Sequence, residues 1–449
     1  MHMNRIWTKR SHAARPPRRR QGRWPWLAAA PLTAACLAAA YPAAAIGSTA
    51  ASAAPTQLNC APPGVKMPPC YSPQAYQVAY GVAPLLRRGI DGRGETVLIP
   101  ALAETPAHGG STDIRQDLAT FDRKFGLPPA KLQVVNAIAR SATPYLANDE
   151  EVEDTEMVHA IAPGATLGVV LVPQDATSSS ANFAAAATKV IQTGVALHAA
   201  VISISASGGE HFLTGAEVAG MHAALEQARD HHVTVVASSG DHGAISDDGP
   251  PVQVSMPASD PLVLAVGGTI LDAASPGGAY LGEMAWNGGD DASAGGYSSL
   301  FPRPSYQDGI ARAGATRGVP DVAANADSST AMALEFSDGS LRPAPGTSAS
   351  TPLWAGVIAL ADQEAGQHLG FVNPAIYAIA RGPAYHQAFH DVITGDNSVL
   401  WPTGVFVGYN AGPGWDPVTG WGSPDAQDLV PLLAHAAADH NAGPAMSRS

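Results

Sequence analysis

The segment Pro345-Gly346-Thr347-Ser348-Ala349-Ser350-Thr351-Pro352-Leu353-Trp354 sets a serine where a glycine turn gives way to helix-forming residues. At a helix mouth the Ser348 hydroxyl is held forward and its own N–H has no intrahelical acceptor. That N–H can stabilise the oxyanion of an acyl-transfer intermediate. Thr and Ser also start helices for purely structural reasons. A nucleophilic serine needs a base. His108, in Ala107-His108-Gly109-Gly110-Ser111, lies in a polar, Pro-bearing stretch that leads into no helix, and it reads as loop. A second source of basicity is Asn148-Asp149-Glu150-Glu151-Val152-Glu153-Asp154-Thr155-Glu156, just ahead of Met157-Val158-His159-Ala160-Ile161-Ala162-Pro163. Glu150 and Asp154 share a helix face, where like charges repel. The same run also suits a solvated acidic helix start, favoured by the dipole. A third acid follows the β-branched run Val233-Thr234-Val235-Val236, in Ala237-Ser238-Ser239-Gly240-Asp241-His242-Gly243. A strand end followed by a Gly-Asp turn is a place where α/β enzymes set site residues. It is equally an ordinary Asp turn.

Taken in order, these segments resemble the sedolisin family, the serine-carboxyl peptidases, and its kumamolisin-like bacterial members in particular. Further blocks carry the resemblance: Tyr71-Ser72-Pro73, Ala79-Tyr80-Gly81, Met256-Pro257-Ala258-Ser259, Val266-Gly267-Gly268-Thr269, Arg317-Gly318-Val319-Pro320-Asp321-Val322-Ala323 and Asn373-Pro374-Ala375-Ile376-Tyr377. Together they span about Tyr71 to Leu433. The resemblance implies that Ser348 is the nucleophile, Glu150 the general base, Asp154 the residue orienting Glu150, and Asp241 the oxyanion-hole acid. The chemistry is coherent with these residue types. A carboxylate takes a serine proton only if its pKa is raised, and a neighbouring carboxyl raises it. Two carboxyls sharing a proton titrate as a pair. Asp241 must carry a proton to donate to an oxyanion. Such a site works best in acid.

The resemblance also implies one structural calcium ion. Near the C-terminus stand Phe389-His390-Asp391-Val392-Ile393 and Ala411-Gly412-Pro413-Gly414-Trp415-Asp416-Pro417. Two carboxylates beside a Gly-rich loop suit a hard, oxygen-loving cation, and two turn aspartates are the plain alternative. By the resemblance, Asp391 and Asp416 supply carboxylates, and Val392, Gly412 and Gly414 supply main-chain oxygens. Some family features are missing. No acid stands in Val97-Leu98-Ile99-Pro100-Ala101-Leu102, and Ala206 occupies the place of a Trp after Ser203-Ile204-Ser205. Ser293-Ala294-Gly295-Gly296 also departs from the usual Gly-rich block. Many sedolisins carry a long folded propeptide, whereas here only a short Pro-rich segment separates the N-terminal export signal from Tyr71.

Strand-like and helix-like segments alternate from Glu95 onward. Thr96–Ile99, Leu167–Leu171, Val201–Ser205, Val233–Ala237 and Leu262–Val266 are short apolar runs of the kind buried on both faces of a parallel sheet. Asp113–Phe125, Asn182–Gln192 and Glu217–His231 read as helices between them. The expected fold is α/β, a doubly wound, mostly parallel sheet flanked by helices, and the resemblance implies its subtilisin-like version.

The 449 residues carry a formal net charge of −13 despite a basic N-terminus, which argues against a nucleic-acid partner. Arg15, Arg18, Arg19, Arg20 and Arg23, followed by an Ala-rich apolar stretch from Trp26 to Ala45, read as an export signal ending near residue 54. Cys60 and Cys70, in the 55–70 segment of an exported chain, read as a disulfide. Residues 71–435 are the expected peptidase domain, and 436–449 a loose tail. The expected protein is a secreted, acid-acting serine-carboxyl endopeptidase. It is a monomer acting on polypeptides, with no stable membrane association once the signal is removed. A catalytically silent binding protein on the same fold is disfavoured by the four intact residues. A subtilisin-type enzyme with a His base is disfavoured by the missing His-Gly-Thr signature.

Overall fold

The computed structural model describes residues 57–61, 69–103, 112–139 and 146–441. The export-signal segment and His108 lie outside the described residues. The expected apolar runs form strands. In chain order the main sheet comprises β1 (Thr96–Leu102), β2 (Lys131–Val135), β3 (Thr166–Val172), β4 (Val201–Ile204), β5 (Thr234–Ser238), β6 (Leu264–Ala273), β7 (Tyr280–Ala285) and β8 (Val322–Asn325). Their spatial order is β7-β6-β5-β4-β1-β3-β2, with β8 also paired to β6. Every pairing is parallel except β6–β7. The strands alternate between two apolar faces, as burial on both sides requires. Val97, Ile99, Leu167, Val169, Val201 and Val236 join one core. Leu98 and Ile202 turn the other way and close on Gly194.

Six helices matter for the site: α1 (Ile114–Phe125), α2 (Asp149–Ile161), α3 (Ser180–Leu197), α4 (Gly215–Asp230), α5 (Thr347–Ala365) and α6 (Ala426–Asn441). Helices α3 and α4 pack together, while α5 packs on α2, α6 and strands β4, β5, β6 and β8. Helix α5 is apolar nearly all round and is buried from Ala349 to Asp362, as a helix enclosed by other elements must be. Gly356 sets its distance from α2. A Cβ there would lie 2.8 Å from Ile161, so the missing side chain lets the two helices approach.

One expectation changes, and one alternative falls. Helix α6 runs on to Asn441, into the segment expected to be a loose tail. Its Leu429, Val430 and Leu433 are buried at helical spacing, and the alanine-rich stretch that follows has high helix propensity. The acidic stretch is no solvated helix start either, because Glu151, Glu153, Asp154 and Glu156 are all buried in α2. Cys60 and Cys70 are joined in a disulfide, with Cα atoms 5.9 Å apart. Among the described residues no helix is long and apolar enough to cross a membrane.

Candidate active site

Helix α2 begins with a complete capping box. Asn148 accepts from the N–H groups of Glu150 and Glu151, and the Glu151 carboxylate accepts from Asn148 N–H at 2.9 Å. The other Glu151 oxygen accepts from Leu102 N–H of β1 at 2.9 Å, which ties the helix start to the sheet. Burial pushes the Glu151 carboxyl up to about 8, against these two hydrogen bonds. With Glu151 spent on the cap, Glu150 and Asp154 lie one turn apart on the same face. Asp154 is buried, and its carboxyl is pushed well above the usual carboxylate range by burial first and the Glu150 charge second.

Ser205, just past the C-terminal end of β4, bridges this acid to the serine. Its hydroxyl donates to Asp154 Oδ1 at 2.6 Å, and its carbonyl accepts from Ser348 Oγ at 3.4 Å. The Ser348 carbonyl is within reach as well, 3.4 Å from Ser205 Oγ. Pro352 explains why that carbonyl is open. A proline has no N–H, so the α5 bond that would close on Ser348 cannot form.

Asp241 reaches the same place from β5. Its Oδ1 accepts from both the N–H and the hydroxyl of Thr347, each at 2.8 Å, so the residue before Ser348 grips the acid. Gly346 makes room for this. It has φ +94°, and a Cβ on it would lie 2.7 Å from Asp241 Oδ2. Ser348 is the second residue of α5, and its N–H is among the unpaired donors of the first turn. Ser205 and Asp241 leave adjacent parallel strands at their carboxyl ends, where ligand crevices of open α/β sheets form. Ser348, Glu150 and Asp241 are half-buried, so the cluster faces solvent on one side.

The expected cation residues also converge. Gly412 N–H donates to Asp416 Oδ2 at 2.9 Å, and Gly414 N–H reaches Asp391 at 3.1 Å. The Thr419 hydroxyl lies 3.3 Å from the Val392 carbonyl and 3.2 Å from Asp416 Oδ2. Among the described residues neither aspartate has a basic side chain in ion-pair contact, and no third His, Cys, Asp or Glu joins them. Burial lifts the Asp416 carboxyl to about 6. Both carboxylates accept from loop N–H groups, the Val392 carbonyl lies beside them, and the Arg312 guanidinium packs against Gly412.

The sequence model of the subtilase family matches residues 142–376, which contain all four candidate catalytic residues. The chain belongs to the subtilase family. Within it, the sedolisin resemblance holds. This subtilase is 34% identical over 386 residues to kumamolisin from Bacillus sp., across 82% of this chain and 64% of that protein. It is 39% identical over 209 residues to sedolisin from Pseudomonas sp., across 44% of this chain and 34% of that protein. The chain thus spans less than two thirds of the length of these curated relatives. Its fold matches Pseudomonas sedolisin, a serine-carboxyl proteinase solved with pseudo-iodotyrostatin. The TM-score is 0.66 at 26% identity, covering 84% of this chain and 100% of that one.

Sequence reasoning missed several parts of the subtilase site. Ser205 was visible only as a strand end, and its bond to Asp154 crosses 51 positions. A polar residue leaving a buried parallel strand is the signal that could have found it. Thr347 reads from sequence as a helix-start residue, but its hydroxyl is spent on Asp241. Asp247 accepts the Asp241 N–H at 2.9 Å, and nothing in its turn-rich segment announces that role.

Proposed function

We propose that this subtilase is a secreted serine-carboxyl endopeptidase that hydrolyses peptide bonds of polypeptides in acid. The observation that carries the reading is the unbroken line of contacts Asp154–Ser205–Ser348, with Asp241 gripped by the residue preceding the serine. In this reading Ser348 Oγ attacks the scissile carbonyl carbon while Glu150 takes its proton. Asp154, raised by burial and by Glu150, shares that proton and orients Glu150. As the C–O bond forms, the carbonyl electrons move to an oxyanion held by Ser348 N–H and by a protonated Asp241. Glu150 passes the proton to the leaving amine as the C–N bond breaks, and water then releases the acyl group by the reverse sequence.

Asp391, Asp416 and the Val392 carbonyl, with main-chain oxygens of Gly412 and Gly414, would hold a calcium ion. Bound there, the ion supplies charge neutralisation and a tie between two loops. Export is read from the N-terminal segment, and a monomer is expected. The test is cleavage of denatured protein by purified enzyme across acid and alkaline pH, beside Ser348→Ala. An acid optimum, lost in Ser348→Ala, is expected. An alkaline optimum overturns the carboxyl mechanism, and an active Ser348→Ala overturns the nucleophile.

A further inference from the structure

Asp241 is held from two sides. Thr347 grips its side chain, and Asp247 grips its main chain through the N–H at 2.9 Å. Asp247 does more than that. The same Oδ1 accepts from His242 Nδ1 at 2.8 Å, and its Oδ2 accepts from Ser207 Oγ at 2.9 Å. One carboxylate therefore joins the loop after β5 to the strand exit after β4, the two segments that border Ser348. His242 is otherwise unaccounted for, although it directly follows the proposed oxyanion acid. The hairpin strands β9 (Val399–Trp401) and β10 (Gly404–Phe406) put Trp401 edge-on to its ring, with centroids 5.2 Å apart. That fixes the imidazole against Asp247. A further carboxylate, Asp291, lies 3.9 Å from Nε2.

We propose that His242 and Asp247 form a charged latch that positions the Asp241 loop and keeps it assembled in acid. The inference rests on the reading of Asp241 as the oxyanion donor. A carboxylate accepts freely at both oxygens only while ionised; protonation puts a hydrogen on one of them. An aspartate with an ordinary pKa begins to lose that capacity under the conditions in which the enzyme is proposed to work. The imidazolium prevents this. Burial alone would lower His242, but the hydrogen bond and charge of Asp247 lift it to about 9, with Asp291 and, wherever it is ionised, Asp241 adding. Burial alone would raise Asp247, yet His242, the Asp241 N–H and Ser207 together hold it below the usual carboxylate range.

The signs follow from those directions. The raised His242 contributes fully below its ordinary value near 6.5, and its contribution is lost as pH rises through about 9. The lowered Asp247 contributes above its ordinary value, and its contribution is lost as pH falls through the depressed one. The latch is thus intact from neutral pH well into acid.

The experiment compares wild type with His242→Gln, which keeps a donor toward Asp247 without the charge, and with His242→Arg, which keeps both. The acid limb of kcat against pH should move up by about one unit in His242→Gln, as expected on removing a close opposite charge. KM should change little, and His242→Arg should restore the wild-type limb. Melting temperature against pH, read on the same proteins, should show the same displacement. It needs no turnover, so a chain without acid peptidase activity would defeat the proposed function and still leave the latch testable. A folded His242→Gln whose acid limb and melting profile both superimpose on wild type overturns the latch. Failure of His242→Arg to restore the limb overturns the role of charge.

Discussion

Helix α2 and the loops around Asp391 and Asp416 both gather carboxylates away from water, and they resolve the cost in opposite ways. Asp416 receives N–H bonds from Gly412, Val418 and Thr419 and a hydroxyl from Thr419. Loop backbone has donors to spare. Helix backbone has none, because the N–H groups around Asp154 are already bonded within α2. Asp154 has the Ser205 hydroxyl instead and is pushed far up. Where main-chain donors are free, they hold a buried acid to a moderate rise, about 6 for Asp416. Where they are spent, it keeps a proton.

The largest effect expected from this contrast is on Glu150. Glu150→Gln should lower kcat on the order of 10⁴-fold, as loss of one member of a catalytic unit does. Near wild-type turnover would remove the proton from α2 and erase the difference. Asp241→Asn should cost roughly 10²–10³ in kcat, the usual loss for a weakened oxyanion donor. Wild-type speed in that variant would make Asp241 a turn residue. That comparison needs only steady-state kinetics on the folded variants.

Cation removal sharpens the other half. A ligand present at about 100 times its Kd adds about 2.7 kcal/mol to the folded state, and sizeable domains shift by about 2–4 °C per kcal/mol. Chelation should therefore lower Tm by several degrees while leaving kcat of the surviving fold nearly intact. An unchanged Tm, with metal shown absent, would leave the loop carboxylates self-sufficient. The smallest effect is expected at Glu151, whose carboxyl is raised to about 8. Its favourable contribution is complete below its ordinary value and is lost as pH rises toward 8. Glu151→Gln should thus flatten the decline of Tm with pH, matching wild type in acid and exceeding it in alkali. A parallel decline would mean that Glu151 does not titrate in that range.

Much of this was legible in the chain because the sheet is doubly covered. Strands such as Val201–Ile204 are buried at every position and apolar at all but Ser203, and their short length favours strand over helix. The mouth of α5 was legible because Gly346 and Thr347 punctuate it. The burial of α2 was not, because its acids outnumber its apolar residues and periodicity favours the solvated reading. Only the tertiary partners reveal otherwise: Glu156 accepts from Glu335 N–H, and Glu151 from Leu102 N–H. Blocks that carried the resemblance turn out to do structural work together. Arg317 pairs with Asp321 at 2.6 Å, and Tyr377 and Asn373 bond the same carboxylate, all buried. Long-range hydrogen bonds of this kind leave no local pattern, so Ser205 and Asp247 stayed silent for the same reason.

Pro352 has a consequence for assembly. It leaves the first turn of α5 one bond short, and the missing contact comes from Ser205 on the exit of β4. A chain that has wound α5 but not yet docked it on the sheet holds a serine without its neighbours Asp154 and Asp241. On the proposed function, the site is therefore complete only once α5 has docked on the sheet.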